Sequence, residues 1–271
     1  MSVEFVFGSA GSGKSSCLRK MAKELALEKR TRTCFFIVPD QYTYSAQMAL
    51  CREFESGVTV NCEVLSFERL ARRIFNELST PLSKVLDDSG KALLLSKVIE
   101  KKKDELSVLS KKALEKAGMV DEIKSFISEL MQYDISPELL SSKAVDPEST
   151  FSPVFRKKLL DIAVLYEGFI SETAGKYMVG DELLSLFTDV LDLSSLSSGE
   201  SETVFFFDSF TGFTPLQYKV IRKLLSYDMR LIFSLCIGDE EDPHSDIAED
   251  NLFFLTKKTV RRLSDLARET G

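Results

Sequence analysis

The stretch VEFVFGSAGSGKSS, residues 3–16, joins a short apolar run to a glycine-rich loop. The apolar residues from Ser2 to Phe7 predict a strand that ends at the loop. The segment from Lys14 to Lys29 carries its apolar residues at roughly helical spacing. The chain therefore begins with the order strand, loop, helix.

The loop between Gly8 and Ser15 matches the phosphate-binding pattern G-x-x-x-x-G-K-S in the context that this pattern requires. Its glycines allow a tight backbone turn, and its N–H groups together with the helix N-terminus meet phosphate charge. We expect Lys14 to reach the outer phosphates of ATP and Ser15 to hold Mg²⁺. The alternative is a glycine-rich turn that only caps a helix. The predicted nucleotide-binding residues are Gly8, Gly11, Ser12, Gly13, Lys14, Ser15 and Ser16.

Composition limits the class of protein. The 271 residues are 44% hydrophobic and 28% charged, which is typical of a globular chain. The net charge of −7 disfavours nonspecific coating of nucleic acid. Five cysteines without a C-x-x-C pair do not indicate a disulfide framework or a zinc site. No apolar run reaches the roughly 20 residues of a membrane span, and no signal peptide is evident, so we predict a cytoplasmic protein without a membrane partner.

Further apolar runs predict a parallel sheet. Cys34–Val38 and Val58–Leu65 are expected to be strands that alternate with helices, the second of these helices opening at Ser66. Thr203–Phe207 and Arg230–Ile237 predict two more buried strands joined by a crossover helix. Strands alternating with helices are typical of a parallel α/β sheet.

Between these two sets of strands the sequence changes character. From about Pro81 to Ser198 it consists of long helical patterns, and Leu191–Glu202 is a polar, serine-rich linker. We therefore predict an α/β fold, a RecA-like P-loop NTPase sheet with a large all-helical insertion. Residues 1–80 and 199–271 would form the P-loop domain and residues 81–198 the insertion.

Asp208 follows the apolar strand FFF at the position where P-loop enzymes commonly place the carboxylate of the Mg²⁺ shell. The predicted metal ligands are thus Ser15 and Asp208, although Asp208 could instead simply begin a turn. Hydrolysing helicases carry a Glu directly after this Asp, but here the residue is Ser209. Because serine is a poor base at neutral pH, we expect ATP and Mg²⁺ to bind with slow turnover or none.

The order of motifs resembles superfamily 1A helicases of the UvrD and PcrA kind, and most closely the AddB (RexB) family of helicase–nuclease subunits. The matching segments, in family order, are EFVFGSAGSGKS, FFIVPDQYTYSAQ, EVLSFERLARRIF, VLDDSGKALLL, the Tyr166–Leu184 stretch ending VGDELL, and FFFDSFTGFTPLQYKVI. Together they cover nearly the whole chain.

The resemblance has informative departures. Ser209 replaces the motif II glutamate, and Gly238-Asp239-Glu240-Glu241-Asp242 lacks the glutamine of motif III. These losses are similar to the degenerate helicase half for which AddB is known. The resemblance implies a subunit that acts in double-strand break repair by recombination and holds or scans single-stranded DNA. It also implies an AddA-type partner subunit, contact with double-stranded DNA, and an iron–sulfur cluster only in a nuclease region beyond Gly271, so that the chain would be a fragment.

By the same resemblance, Gln41, Thr43, Ser66 and Arg69 are expected to contact DNA. Hydroxyl and amide groups can bind phosphates, but for Gln41 and Thr43 helix capping is an equally good interpretation. Phe67 lies on the apolar face of its helix and is better explained as core. The lysines at 101–103 are best explained as a solvated helix face.

Two other functions fit parts of the sequence. A small-molecule kinase would combine a P-loop with a helical lid, but such lids usually carry phosphate-clamping arginines, and the insertion has only Arg156. An interaction scaffold with a vestigial P-loop would differ from the helicase-like interpretation in binding no ATP.

Overall fold

A computed structural model of the chain describes residues 3–28, 32–55, 57, 61–77, 84–109, 118–190, 203–245 and 249–270. The chain divides into two compact units. The first consists of Met1–Ile74 and Leu186–Gly271, and the second of Phe75–Ser185.

The first unit is built on a five-stranded sheet in which every pairing is parallel. In the order in which they lie in the sheet, the strands are β1 (Val3–Gly8), β7 (Arg230–Cys236), β6 (Thr203–Phe207), β2 (Thr33–Ile37) and β3 (Cys62–Leu65). The helices are α1 (Lys14–Glu28), α2 (Thr43–Glu53), α3 (Phe67–Glu77), α9 (Pro215–Ser226) and α10 (Phe254–Thr270), with a 3₁₀ turn over Asp40–Tyr42.

Phenylalanines join the central strands side to side. Phe36 stacks on Phe206 at 5.7 Å between ring centroids, and Phe207 stacks on Phe233 at 4.5 Å. All four rings are at most 2% exposed. Burying each such ring stabilises the fold by roughly 1.5–3 kcal/mol, and offset stacking adds to that. These contacts hold β2, β6 and β7 in one register.

The two faces of the sheet carry different layers because side chains alternate along a strand. Val6, Phe206 and Ile232 point to the face on which α1 packs through Leu18 and Ala22. On the opposite face, Phe207, Phe213 and Phe233 form an aromatic group, and Phe67 of α3 packs against Phe207 and Phe213. Phe67 is 5% exposed, so its assignment to the core is confirmed.

The second unit is mainly helical in its described part. Its helices are α4 (Asp88–Lys102), α5 (Met119–Gln132), α6 (Pro137–Val145) and α7 (Pro153–Thr173), followed by α8 (Gly180–Val190), which continues into the first unit. Leu159, Ile162 and Phe169 of α7 lie in the centre of its apolar core. A two-residue parallel bridge pairs β4 (Lys84–Val85) with β5 (Tyr177–Met178), an element too short to leave a pattern in the sequence.

A buried carboxylate fixes the segment that follows α4. Asp161 of α7 is 3% exposed and accepts hydrogen bonds from the backbone N–H groups of Ser107, Val108 and Leu109 at 2.7–2.8 Å. The Ser107 hydroxyl donates to it as well, at 3.0 Å. Burial by itself raises the pKa of Asp161, but these hydrogen bonds outweigh burial and hold the pKa below its ordinary value.

The α/β fold with a parallel sheet and helical insertion is confirmed. Each predicted strand is present, although the run predicted from Val58 forms β3 only from Cys62, and residues 58–60 lie outside the described part. The predicted linker over Leu191–Glu202 lies wholly outside it. Among the described residues, no helix is both long and apolar enough to cross a membrane.

We expect Asp161→Asn to destabilise the second unit by about 2–4 kcal/mol, because the substitution turns an amide N–H₂ toward backbone donors and leaves buried groups unsatisfied. The lowered pKa means that wild-type stabilisation is present at neutral pH and is lost as pH falls through that pKa. The difference between variant and wild type should therefore shrink in acid. Urea unfolding followed by circular dichroism at several pH values measures it.

The matched control is Asp121→Asn, since Asp121 has an exposed side chain paired with Lys124. It should change stability by less than about 0.5 kcal/mol. Equal losses in the two variants would contradict the role assigned to Asp161.

Candidate nucleotide-binding site

The loop after β1 is shaped by its glycines. A Cβ atom added at Gly8 would fall on the Ser12 hydroxyl, so the loop closes tightly against this position. Gly11 and Gly13 have φ values of 79° and 91°, a region that side chains disfavour. The Ser12 N–H donates to the Ser9 carbonyl at 3.2 Å, and α1 begins directly after the loop at Lys14.

Lys14 folds back over this loop. Its ammonium group donates to the carbonyl oxygens of Gly8 at 2.9 Å and Ser9 at 2.7 Å. The Gly8 carbonyl also accepts from the N–H of Ile237, just after β7, at 3.0 Å. A positive charge thus lies over the loop, beside the N–H groups of the first turn of α1, which have no partner within the helix.

Asp208 directly follows β6 and is 5% exposed. Its Oδ1 accepts a hydrogen bond from the hydroxyl of Ser234, which is 4% exposed on β7. Its Oδ2 is 3.5 Å from the hydroxyl of Ser209, an exposed residue. Because any buried carboxylate needs a hydrogen-bond partner, this contact agrees both with a metal role and with a turn that Asp208 begins.

Strand alternation determines which way this carboxylate projects. Asp208 lies two residues after Phe206, and Ser234 two residues after Ile232, so both share the sheet face covered by α1. The pairing of Val6 with Ser234 and of Gly8 with Cys236 brings the ends of β1 and β7 to the same edge. Asp208 therefore projects from the sheet face that the helix following the phosphate loop covers.

Ser209 occupies a left-handed backbone conformation with φ 66°. A non-glycine residue is destabilised there by roughly 1–2 kcal/mol. This strain comes from the Cβ atom and is independent of side-chain length, so it does not by itself explain why the residue is not a glutamate.

The residues fit a nucleotide with Mg²⁺. The close approach at Gly8 leaves room for backbone but not for a side chain, and the N–H groups of a helix start are suited to phosphate. The Ser15 hydroxyl and the Asp208 carboxylate are oxygen donors of the kind that Mg²⁺ prefers. When bound, the metal would neutralise phosphate charge.

The loop after β7, where motif III was expected, is held by an ion pair between a buried lysine and a partly exposed glutamate. Lys257 of α10 has a side chain that is 3% exposed, and it donates to Glu241 and, at 2.9 Å, to the Ser245 hydroxyl. Lys257, and after it Asn251, hold the pKa of Glu241 below its ordinary value. Glu241 therefore anchors the loop to α10.

The four predicted DNA-contact residues differ in their surroundings. Gln41 and Arg69 are exposed. Thr43 is 9% exposed, and its hydroxyl donates to the Asp40 carbonyl at 2.9 Å, so it does not accept from a helix N–H as a cap would. Ser66 is 2% exposed and does cap α3 by accepting from the Arg69 N–H at 3.4 Å. Neither Gln41 nor Thr43 caps α2, because the N-terminal end of this helix has no side-chain cap.

The three arginines of α3 have different surroundings. Arg72 pairs with Glu68 at i,i+4, and Arg73 pairs with Glu63 at 3.2 Å, whereas Arg69 projects from the first turn of the helix. In the second unit, Lys101, Lys102 and Lys103 pair with Glu172, Glu105 and Glu100, as a solvated helix face would.

The sequence analysis did not predict the roles of two residues in this region. Ser234 is the one hydroxyl in the apolar run RLIFSLCI, and a lone hydroxyl in such a run is a usable signal for a buried polar contact. Lys257 had no such signal, because it lies among other lysines and arginines of an amphipathic helix. Only the packing of α10 distinguishes it from them.

The parallel sheet, the glycine loop after its first strand and the carboxylate after β6 together define a domain of the RecA-like P-loop class. The chain belongs to the family described as ADDB, N-terminal, whose model matches residues 5–271.

Relatives of this chain are similar over almost all of it. It is 36% identical over 268 residues to the B subunit of the ATP-dependent helicase/deoxyribonuclease of Lachnoclostridium phytofermentans. It is 31% identical over 274 residues to the proteins of the same name from Bacillus cereus and Bacillus mycoides. The matches cover 98–99% of this chain but 23% of each relative, so the chain spans less than a quarter of the length of these relatives.

The left-handed backbone at Ser209 gives a prediction about stability. Ser209→Gly should remain within about 0.5 kcal/mol of wild type, because glycine adopts this conformation without strain but is more flexible when unfolded. Ser209→Val should lose about 1–2 kcal/mol, since a β-branched residue is poorly accommodated there. Thr211→Val, an exposed substitution in the same loop, serves as the control and should be nearly neutral. Equal effects of valine at 209 and 211 in chemical unfolding would contradict the strain argument.

Proposed function

We propose that this chain is the nucleotide- and DNA-binding N-terminal domain of one subunit of an ATP-dependent helicase–deoxyribonuclease that acts in DNA repair by recombination. The family membership and the names of the relatives support this assignment. The observation that carries it is that the same edge of the sheet holds a phosphate loop contacted by Lys14 and an Asp208 carboxylate hydrogen-bonded to Ser234. Because the relatives are named as one subunit of a complex, we also propose a partner, which we take to be the AddA-type helicase–nuclease.

In this proposal the site binds ATP with Mg²⁺ and hydrolyses it slowly or not at all. Lys14 and the N–H groups of the loop would hold the phosphates, and Ser15 and Asp208 would hold the metal. The Asp208–Ser209 turn carries a serine where hydrolysing helicases carry a glutamate, and serine is a poor base at neutral pH. In this proposal the bound nucleotide orders the domain, and the partner subunit carries out translocation along DNA.

The surface at the carboxyl ends of β2 and β3 is the proposed binding surface for single-stranded DNA. Gln41 and Arg69 are the best placed of the four candidates because both are exposed. Thr43 and Ser66 are buried and engaged, so their part would be to order the backbone of this edge.

The kinase alternative is less well supported. A lid arginine must be free to clamp a phosphate, but Arg156 donates to the carbonyls of Phe151 and Ser149 at the start of α7. It therefore has a local structural role in the second unit.

The nucleotide site is tested by isothermal titration calorimetry with ATP and Mg²⁺. Lys14→Ala should abolish measurable binding, because it removes the ammonium group from the loop. Lys20→Ala is the matched control, an exposed lysine of the same helix that changes the net charge equally and should bind like wild type.

A phosphate-release assay on the same samples should find little or no turnover by wild type. Robust release would contradict the argument from Ser209, and the absence of any ATP binding would favour the scaffold with a vestigial P-loop.

Binding of single-stranded DNA is tested by fluorescence anisotropy of a labelled oligonucleotide at low salt. Arg69→Ala should weaken binding about fivefold, equivalent to about 1 kcal/mol, and lower the slope of log K against log salt by about 0.7. Arg72→Ala, with the same charge change on the same helix, should have a smaller effect because Arg72 already pairs with Glu68. Equal losses would show that only the overall charge of α3 matters.

A further inference from the structure

The two oxygens of the Asp208 carboxylate have unequal surroundings. Oδ1 accepts from the Ser234 hydroxyl, and both residues are at least 95% buried. Among the residues that the structure describes, the partner of Oδ2 is the hydroxyl of exposed Ser209, at 3.5 Å, which is the outer limit of a hydrogen bond. Within the described part of the chain, Oδ1 thus has a close hydrogen-bond donor, whereas the donor nearest to Oδ2 is at the limit of a hydrogen bond.

We propose that Ser234 is a positioning residue that orients Asp208 toward a nucleotide-bound Mg²⁺, with Oδ2 as the oxygen offered to the metal shell. The inference rests on the proposed nucleotide site and adds to it a residue that no P-loop pattern includes.

A carboxylate needs such a partner because its terminal torsion is broad and nearly two-fold. Without a fixed donor, the plane of the Asp208 carboxylate could rotate over this broad range of angles. The Ser234 hydroxyl removes this freedom, since it comes from the middle of a hydrogen-bonded strand between β1 and β6.

The environment makes the hydrogen bond strong. Ser234 lies on the same sheet face as Phe206, Ile232 and Val6, which belong to or pack against the apolar layer under α1. In such a layer a hydrogen bond to a charged group is worth more than in water, and its loss leaves the acceptor unsatisfied. Partners that orient a metal ligand typically change metal affinity by about 10–100-fold when they are removed.

A purely structural role for Ser234 predicts something different. If the hydroxyl only satisfies a buried acceptor, its removal should lower stability and weaken nucleotide binding equally with and without Mg²⁺. A positioning role predicts a selective loss of the gain in affinity that Mg²⁺ brings.

The experiment measures ATP affinity by calorimetry in excess Mg²⁺ and in EDTA for wild type, Ser234→Ala, Asp208→Asn and the double variant. Ser234→Ala should reduce the Mg²⁺-dependent gain about tenfold while changing the affinity in EDTA less than about twofold. In the Asp208→Asn background, Ser234→Ala should have no further effect on that gain, since the two residues act as one unit.

Two variants complete the set. Thr256→Val removes another buried hydroxyl bond to β7, the one that Thr256 donates to the Cys236 carbonyl at 2.8 Å, and should keep the wild-type Mg²⁺ gain. Ser234→Thr retains the hydroxyl and should keep most of the gain. If Ser234→Ala does not fold, Ser234→Cys, a weaker donor, replaces it under the same criteria.

An unchanged Mg²⁺ gain in Ser234→Ala, an equal loss in EDTA, or a persisting effect in the Asp208→Asn background would each overturn the positioning role and leave the nucleotide site intact. A wild-type chain without Lys14-dependent ATP binding would overturn the proposed function and this inference together.

Discussion

The parallel register of β1, β7 and β6 is the constraint on which the rest of the site depends. Because all three strands run in the same direction, their carboxyl ends meet at one edge of the sheet. The phosphate loop, the buried hydroxyl of Ser234 and the carboxylate of Asp208 are brought together there from distant parts of the chain. Phe233 of β7 packs against Phe207 of β6 and Phe5 of β1, and these contacts stabilise the register. A slip of one residue would turn Asp208 to the other face of the sheet.

The same edge combines features of binding with the loss of a feature of catalysis. The loop retains its glycine geometry and its lysine, and Asp208 is held by a specific donor. The next residue, however, is a serine in a left-handed conformation, and the loop after β7 uses Glu241 to anchor itself to Lys257. The proposal of a nucleotide site with little or no turnover rests on these features.

Much of the fold could be predicted from sequence because its strands are continuous apolar runs, and those runs exist because a parallel sheet is buried on both faces. The start of β3 was predicted less well, since Asn61 belongs to the predicted run but lies before the strand. The bridge between β4 and β5 and the bonds of Asp161 could not be predicted, because each joins residues far apart in the chain without a local pattern. For Gln41 and Thr43, capping and DNA contact were equally plausible from the sequence. The hydrogen bond of Thr43 to Asp40 and the start of α2 without a side-chain cap removed the capping alternative.

The sequence by itself determined the phosphate loop, the succession of strands and helices, and the absence of a glutamate after Asp208, because each of these depends on neighbouring residues and their periodicity. Only the tertiary structure decided that Ser234 supports Asp208, that Lys257 is buried beside Glu241, and that Ser66 caps a helix while Arg69 is exposed. The physical reason is that burial and hydrogen-bond partners are properties of packed elements. Two serines with the same chemistry, Ser209 and Ser234, acquire opposite surroundings only when the strands that carry them are assembled.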